Sequence, residues 1–554
     1  MLSRRAMLSR IAGAGAALSG LRGLRLPALT LGASAPRLAR PSKAQRVWQD
    51  LELGMFVHFA PNTWQEKEYD DLSLAPAAVM QNVDSEQWVD TALSLGARYI
   101  VLVAKHAGGF CLWQTDTTDY SIKSAPWKGG RGDVMASLAE ACGRRGLQLG
   151  VYCSPRDDKH GAGLSGKCAT PEAQAAYNEL YRRQLTELLT RYGPIVELWL
   201  DGSSVVPTGD IVAQHQPDAM VFQGPQATIR WVGNEDGFAP SPCWNALTAA
   251  DAKTGIATAL HSDPDGDVWM PVEVDVSIRR PNWFWNTTDE TNLLSLDQLI
   301  EIYYRSVGRG TQLLLNMPPD RTGRIPPLDA ARAGEFGDEI RRRFGTELGE
   351  GAVTGRLLDV SLGAAKRVDH VILQEAIAQG ERVRGWRLEG YAWEHWQLLA
   401  TGTAIGHKQI VPVPPDGYTI LRLTVTDARD EPIIQRLAAF NTGNAPPKTW
   451  ADQAQLWADD AVGRWSGDTA TLDLTPNVAT PGQYRLRLLA PGTVRVEIRT
   501  VEMSIRGAPQ PALVRLASGR KDAAILTIPE ANDPVTVRVR LRDATQGTAL
   551  LQKL

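Results

Sequence analysis

Between about residues 45 and 345 the chain alternates short apolar runs with stretches of helical period, and this alternation restricts the fold to a parallel β/α architecture. The apolar runs fall at 54–59, 99–104, 147–153, 196–200, 219–223, 269–276 and 311–315. Helical patterns fall at 85–95, 134–145, 171–192, 296–309 and 328–344. Close to eight such units match a (β/α)8-type barrel with irregular later units. A doubly wound sheet is the competing arrangement, but no G-x-G-x-x-G follows the first run. Beyond Phe344 the long helical patterns stop and strands follow one another, the texture of β-sandwiches. The expected order is a leader at 1–40, a barrel at 45–345, a β-sandwich at 350–441 and a second at 448–554. Asn441-Thr442-Gly443-Asn444-Ala445-Pro446-Pro447 reads as the linker between the two sandwiches.

A net charge of −3 over 554 residues, with no Lys/Arg block after the N-terminus, argues against nucleic acid as a partner. Arg4-Arg5 stands directly before a Gly/Ala-rich run from Ile11 to Leu21, the layout of a twin-arginine export signal. A periplasmic or secreted protein is expected. The run is too short to span a bilayer and no later segment is long and apolar enough, so no stable membrane insertion is expected once the signal is removed. The cysteines (Cys111, Cys142, Cys153, Cys168, Cys243) are odd in number and lack zinc spacing. Cys153 with Cys168 is the candidate disulfide, and burial as single thiols is the other reading.

Polar residues cluster where the apolar runs end. His58 ends the first, Lys105-His106 the second, Tyr152-Cys153-Ser154 the third, and Asp201 the fourth. In a barrel these positions converge on the face that carries active sites. Asp201 closes Ile195-Val196-Glu197-Leu198-Trp199-Leu200, a buried-strand pattern, and Gly202 lets the chain turn away at once. It is either a turn cap or a functional carboxylate. A two-carboxylate hydrolase needs a partner for it. Glu235, in the polar Arg230-Trp231-Val232-Gly233-Asn234-Glu235-Asp236-Gly237 stretch, is one candidate; Glu273, in Trp269-Met270-Pro271-Val272-Glu273-Val274-Asp275, is the other, unless it is a buried structural carboxylate.

These segments carry a resemblance. Gly54-Met55-Phe56-Val57-His58-Phe59, Lys105-His106 with Gly109-Phe110-Cys111-Leu112-Trp113, Tyr152-Cys153-Ser154-Pro155, Glu197-Leu198-Trp199-Leu200-Asp201-Gly202, Arg230 to Glu235, and Ser277-Ile278-Arg279 with Trp283-Phe284-Trp285 resemble the α-L-fucosidases of glycoside hydrolase family 29. The likeness is greatest to the branch acting on α-1,3/1,4-linked fucose, and covers roughly residues 45 to 440. It implies Asp201 as nucleophile and Glu235 as acid/base, with His58, Glu68, His106, Tyr152 and Trp199 lining the sugar subsite; Glu273 and Trp285 are further substrate-binding candidates. It implies no metal and no cofactor, and a fucosylated oligosaccharide or glycoconjugate as substrate. One departure is local: the family reads Lys-His-His-Asp-Gly-Phe where this chain has Lys105-His106-Ala107-Gly108-Gly109-Phe110. Losing a hydrogen bond to a sugar hydroxyl costs about 0.5–1.5 kcal/mol. The vacated space would admit another L-sugar, such as an α-L-galactoside, as the alternative substrate. The third reading is a catalytically weak carbohydrate-binding relative. Arg156 also stands where an aromatic is common in this branch.

Overall fold

The apolar runs become eight parallel strands: β1 Leu53–Val57, β2 Tyr99–Lys105, β3 Gln148–Cys153, β4 Ile195–Trp199, β5 Met220–Phe222, β6 Arg230–Trp231, β7 Val272–Ser277 and β8 Gln312–Asn316. The computed structural model describes residues 38–553 apart from 290–291, 444–460, 476–480, 490–495, 517–522 and 530–533. Residues 1–37 of the segment read as a leader, and most of the linker, lie outside the described residues. Pairing runs β5-β4-β3-β2-β1-β8-β7-β6. An isolated parallel bridge between Phe222 and Ile229 links the two ends and closes the barrel.

Every residue of β1, β2, β7 and β8 is buried, as expected where one strand face meets helices and the other the barrel interior. The helices begin and end on local signals. Asp84 caps Ser85–Leu95 through the Gln87 amide, and Asp133 caps Val134–Arg145 through the Ala136 amide. Gly96 and Gly146 end them in the left-handed region. Pro171 opens the longest helix, Pro171–Arg191, behind a Thr170 cap.

Two expectations needed adjustment. The apolar run at 269–276 is divided: Val268–Trp269 pairs antiparallel with Ala246–Leu247, and β7 begins only after Pro271, which has no N–H for a ladder. The Arg230–Gly237 stretch, read as loop, contributes β6 before it turns. Arg230 is fully buried and donates to the carbonyls of Met270, Thr258 and Trp244, so its cation ties loops together beneath the site.

The barrel interior is partly polar. Glu197 accepts from the indole N–H groups of Trp48 (2.7 Å) and Trp199, while Glu273 accepts from the Tyr99 hydroxyl at 3.0 Å. The two carboxyl groups lie close enough to act on each other; burial and the charge of Glu197 push Glu273 well up. All five cysteines are free thiols, which settles the Cys153–Cys168 alternative in favour of single thiols.

After the helix Pro327–Phe344, a six-stranded antiparallel sheet spans 349–440 with its own apolar core, including Leu373, Trp386 and Leu423. It meets the barrel where Phe344 packs edge-on against Phe440 at 5.5 Å and Tyr304 bonds His370 at 3.2 Å. A further antiparallel sheet lies within 461–553 around Leu486, Met503 and Val537. Three tryptophans of the first sheet part company: Trp386 is core, Trp396 lies under Arg422, and Trp393 is exposed at a hairpin tip.

Candidate active site

Asp201 follows β4 by two residues, at the C-terminal face of the barrel. Gly202, at φ 76°, makes the turn that leaves its carboxyl facing inward. The Tyr152 hydroxyl, from the neighbouring strand, donates to Asp201 Oδ2 at 3.1 Å. Protein surrounds the carboxyl, yet one side stays open to solvent. Burial raises its pKa above the ordinary 3.8, and the charge of Glu235 adds to this; the Tyr152 hydroxyl and Gly202 amide pull the other way. The charge of Glu235 is felt at Asp201 and at Asp275, which puts the three carboxyls around one pocket.

Glu235 lies on the loop after β6. The loop is shaped by Gly233 and Gly237, both at positive φ, and by Asn234, whose side chain accepts from the Asp236 amide and donates to the Phe238 carbonyl. Arg280, on the loop after β7, grips its tip: Nη1 meets Glu235 Oε2 at 2.8 Å and Nη2 meets Asp236 Oδ1 at 2.9 Å. Beneath lies Asp275, accepting from the Trp231 indole at 2.6 Å. Burial, with the charges of Glu235 and Asp201, pushes Asp275 well up.

Imidazoles and aromatic rings line the pocket beside these acids. His58 Nδ1 is 2.8 Å from Asn316 Oδ1. Asn316 uses its amide nitrogen on Ser277 and the Trp283 carbonyl, so its oxygen faces His58 and assigns the ring proton to Nδ1. The His58 Nε2 is then an acceptor. Burial lowers His58 to about 3 and His106 to about 4, with His106 adding to the first and Arg156 to the second. Both are neutral at physiological pH, suited to sugar hydroxyls. His106 stacks on Tyr152 at 5.9 Å, and Tyr152 on Trp199 at 6.1 Å. Trp199 in turn lies flat on Phe222 at 3.5 Å. Such a pair contributes about 0.5–1.5 kcal/mol beyond its burial. Glu68 reaches over from the loop after β1 and accepts the Trp283 amide on both oxygens at 3.1 Å.

The structure thus brings together His58, Glu68, His106, Tyr152, Trp199, Asp201 and Glu235. It does not bring Glu273 or Trp285 with them. Glu273 is wholly buried in the barrel interior against Glu197 and Tyr99, with no surface facing the pocket. Trp285 points outward under Arg321, 5.6 Å from ring centre to guanidinium. Its neighbours take the place expected for it: Trp283 lies 5.1 Å from His58, and Phe284 5.3 Å from His58 and 5.1 Å from His106. Three adjacent aromatics give no periodicity from which the inward one can be chosen. Asn316 and Arg280 were also missed; Asn316 is a polar residue on an otherwise apolar strand, a signal that was present, and Asp275, which alternation puts on the same strand face as Glu273, is the one of that pair that reaches the Glu235 side. Lys105 turns away from the pocket into a buried network with Asp157 and Gln184, both at 3.0 Å. Arg279 is likewise structural, held by Asp289 at 2.6 Å and Asp329 at 2.7 Å.

The departure at Ala107-Gly108 has a structural counterpart. A Cβ on Gly108 would come within 2.5 Å of Asp70 Cβ, so the Asp70 side chain occupies the adjoining volume. Asp70 is buried, bonded by the Tyr120 hydroxyl and by Gln65 at 2.8 Å. The volume beside Gly108 is therefore filled by a carboxylate from another loop. At the rim, Arg156 lies 5.0 Å over the exposed Tyr69 ring and forks onto Asp158 with two bonds of 2.8 Å. Among the described residues no group of three His, Cys, Asp or Glu side chains is arranged to hold a metal. A separate cavity of about 460 Å³, lined by Val47, Cys142, Leu149 and Ile195, sits by the opposite ends of β3 and β4, away from this chemistry.

Comparison with known proteins agrees with this geometry. The alpha-L-fucosidase family model matches residues 62–342. Alpha-L-fucosidase 1 of Arabidopsis thaliana is 33% identical over 456 residues, covering 73% of this chain and 88% of that protein. Among solved structures, a glycoside hydrolase 29 family member from a rumen bacterium superposes with a TM-score of 0.67 at 27% identity, covering 94% of this chain and all of that one. A GH29 fucosidase of Ruminococcus gnavus in complex with fucose superposes at 0.66 with 28% identity, over 74% of this chain and 96% of that one. With catalytic-face carboxylates, neutral imidazoles and aromatic walls in one pocket, the chain belongs to the α-L-fucosidases of glycoside hydrolase family 29 and hydrolyses fucosidic bonds.

Proposed function

We propose that this fucosidase works by retention, with Asp201 as nucleophile and Glu235 as acid/base. Asp201 attacks the anomeric carbon while Glu235 protonates the departing oxygen; Glu235 then takes a proton from water, which releases fucose from the covalent intermediate. The observation that carries the reading is the shared pocket of the two carboxyls, Asp201 fixed by Tyr152 and Glu235 on a glycine-bounded loop. His58, held by Asn316, presents an acceptor to a sugar hydroxyl, and the rings of Trp283 and Phe284 enclose the same space. An Asp201→Gly variant is expected to lose nearly all turnover and regain it with azide, yielding the azide adduct of inverted configuration. Near-normal turnover without azide would overturn the assignment.

The substrate reading is α-1,3/1,4-linked fucose on branched oligosaccharides. It is supported by the sequence likeness of the Glu235 loop to that branch, and by the open rim at Tyr69 and Arg156. The α-L-galactoside alternative loses support because Asp70 fills the volume beside Gly108. Fucose release from α-1,2, α-1,3, α-1,4 and α-1,6 oligosaccharides, with an aryl α-L-galactoside alongside, tests both. Export rests on Arg4-Arg5, and is tested by fractionating cells that carry the Arg4→Lys/Arg5→Lys form: activity retained in the cytoplasm is the expected result.

A further inference from the structure

We infer that Arg280 is a positioning residue for the acid/base step, holding Glu235 at the reacting bond through a two-pronged grip on Glu235 and Asp236. The inference rests on the reading of Glu235 as acid/base. Three observations carry it.

The first is geometry. One guanidinium reaches two adjacent carboxylates at 2.8 and 2.9 Å, through different nitrogens. A planar fork used in this way fixes direction as well as distance, which a lysine cannot reproduce. The second is need. Glu235 stands on a loop with glycines at positive φ on both sides, at 233 and 237, and its own side chain is 44% exposed. Without a tether such a group samples many rotamers, and proton transfer demands placement within hydrogen-bond reach of the leaving oxygen. Asn234 braces the loop backbone, but it makes no bond to the Glu235 carboxyl.

The third is the anchorage of Arg280 itself. The same turn continues to Trp283, whose amide is held by Glu68 and whose carbonyl accepts from Asn316, the partner of His58. Arg279, the preceding residue, is locked between Asp289 and Asp329. The grip on Glu235 thus starts from a segment already fixed to two sugar-facing groups, which places the acid in register with the bound sugar. The two arginines divide the labour: the inner one is buried in the frame, and the outer one reaches into the site.

Leaving-group dependence separates this role from a merely structural one. A glycosidic oxygen leaving as a sugar alcohol needs protonation; an activated aryl group such as 2-chloro-4-nitrophenolate leaves without it. For Arg280→Met, kcat/KM on a fucosylated oligosaccharide is expected to fall about 10- to 100-fold, part of the contribution of general acid catalysis, and to change less than about threefold on the activated aryl α-L-fucoside. Arg280→Lys is expected to recover only part of the loss. Equal losses on both substrates, or no loss on either, would overturn the proposal; thermal unfolding of each variant shows whether an equal loss comes from damaged folding. Glu235→Ala is run in parallel: if it too lacks leaving-group dependence, the acid/base assignment fails, and the failure is not that of Arg280 alone.

Discussion

Tyr152 on β3 is in register with Trp199 on β4, and its phenol hydroxyl reaches the carboxylate of Asp201, two residues further along, at 3.1 Å. The bond favours the ionised Asp201 carboxylate, against burial and the charge of Glu235. Tyr152→Phe removes the favourable partner, so the acid limb of the pH profile of kcat/KM is expected to move to higher pH. Glu235→Gln, assayed with an activated aryl fucoside, removes the repelling charge, and the same limb is expected to move to lower pH. Profiles that shift in the opposite directions would show that Asp201 does not set that limb.

Glu273→Gln separates the two candidate partners of Asp201. The glutamine keeps shape and hydrogen-bonding capacity in the Glu197 pair while removing one acid. Because the folded-state value of Glu273 is raised, the native form retains a proton that the unfolded chain gives up, and stability is lost as pH rises above about 4.5 toward that raised value. The variant is expected to keep near-normal kcat and to resist urea better than the parent at pH 9 than at pH 5. A collapse of kcat comparable to that of Glu235→Gln would return Glu273 to the mechanism.

The two site imidazoles make the barrel acid-sensitive. His58 is lowered to about 3 and His106 to about 4, whereas the unfolded chain protonates both near 6.5. Their contribution to stability is full above pH 6.5 and is lost progressively as pH falls toward those values. Urea midpoints measured at pH 7 and pH 4.5 are expected to differ less in a His58→Gln/His106→Gln double variant than in the parent.

Lys105 has no surface exposure, and its ammonium is bonded to Asp157, Gln184 and Tyr177. Burial opposes its charge, but Asp157 outweighs that and raises it. Lys105→Met leaves the buried Asp157 carboxylate with only the His160 ring and amide as partners, and a loss of about 3–5 kcal/mol in unfolding free energy is expected from denaturant titration. Asp157→Asn in the same chain should recover part of that loss.

Much of the frame was legible because strand and helix periodicity are local. The strand ends at His58, Tyr152 and Asp201 could be placed on one face from that alone. What stayed hidden depended on direction and on height along a strand. Lys105 and His106 are adjacent, yet one enters the helix layer and the other the pocket; Glu273 and Asp275 share one face of β7, and only their height separates the barrel interior from the pocket. Trp283, Phe284 and Trp285 sit on an irregular loop, where no period tells which ring turns inward. The two-residue β6 is too short for any pattern, and its place is set by pairing with β7.

Asp70 beside Gly108 carries a lesson about how such sites drift. A signature written as letters along a strand end records which position once supplied a group, whereas the pocket requires only that some atom of suitable character stand at a given point in space. Here a glycine yields room and a separate loop delivers a carboxylate into it. Where suppliers differ in this way, the letters of one strand end do not describe the pocket wall, and its chemistry is read from whatever atoms surround that space.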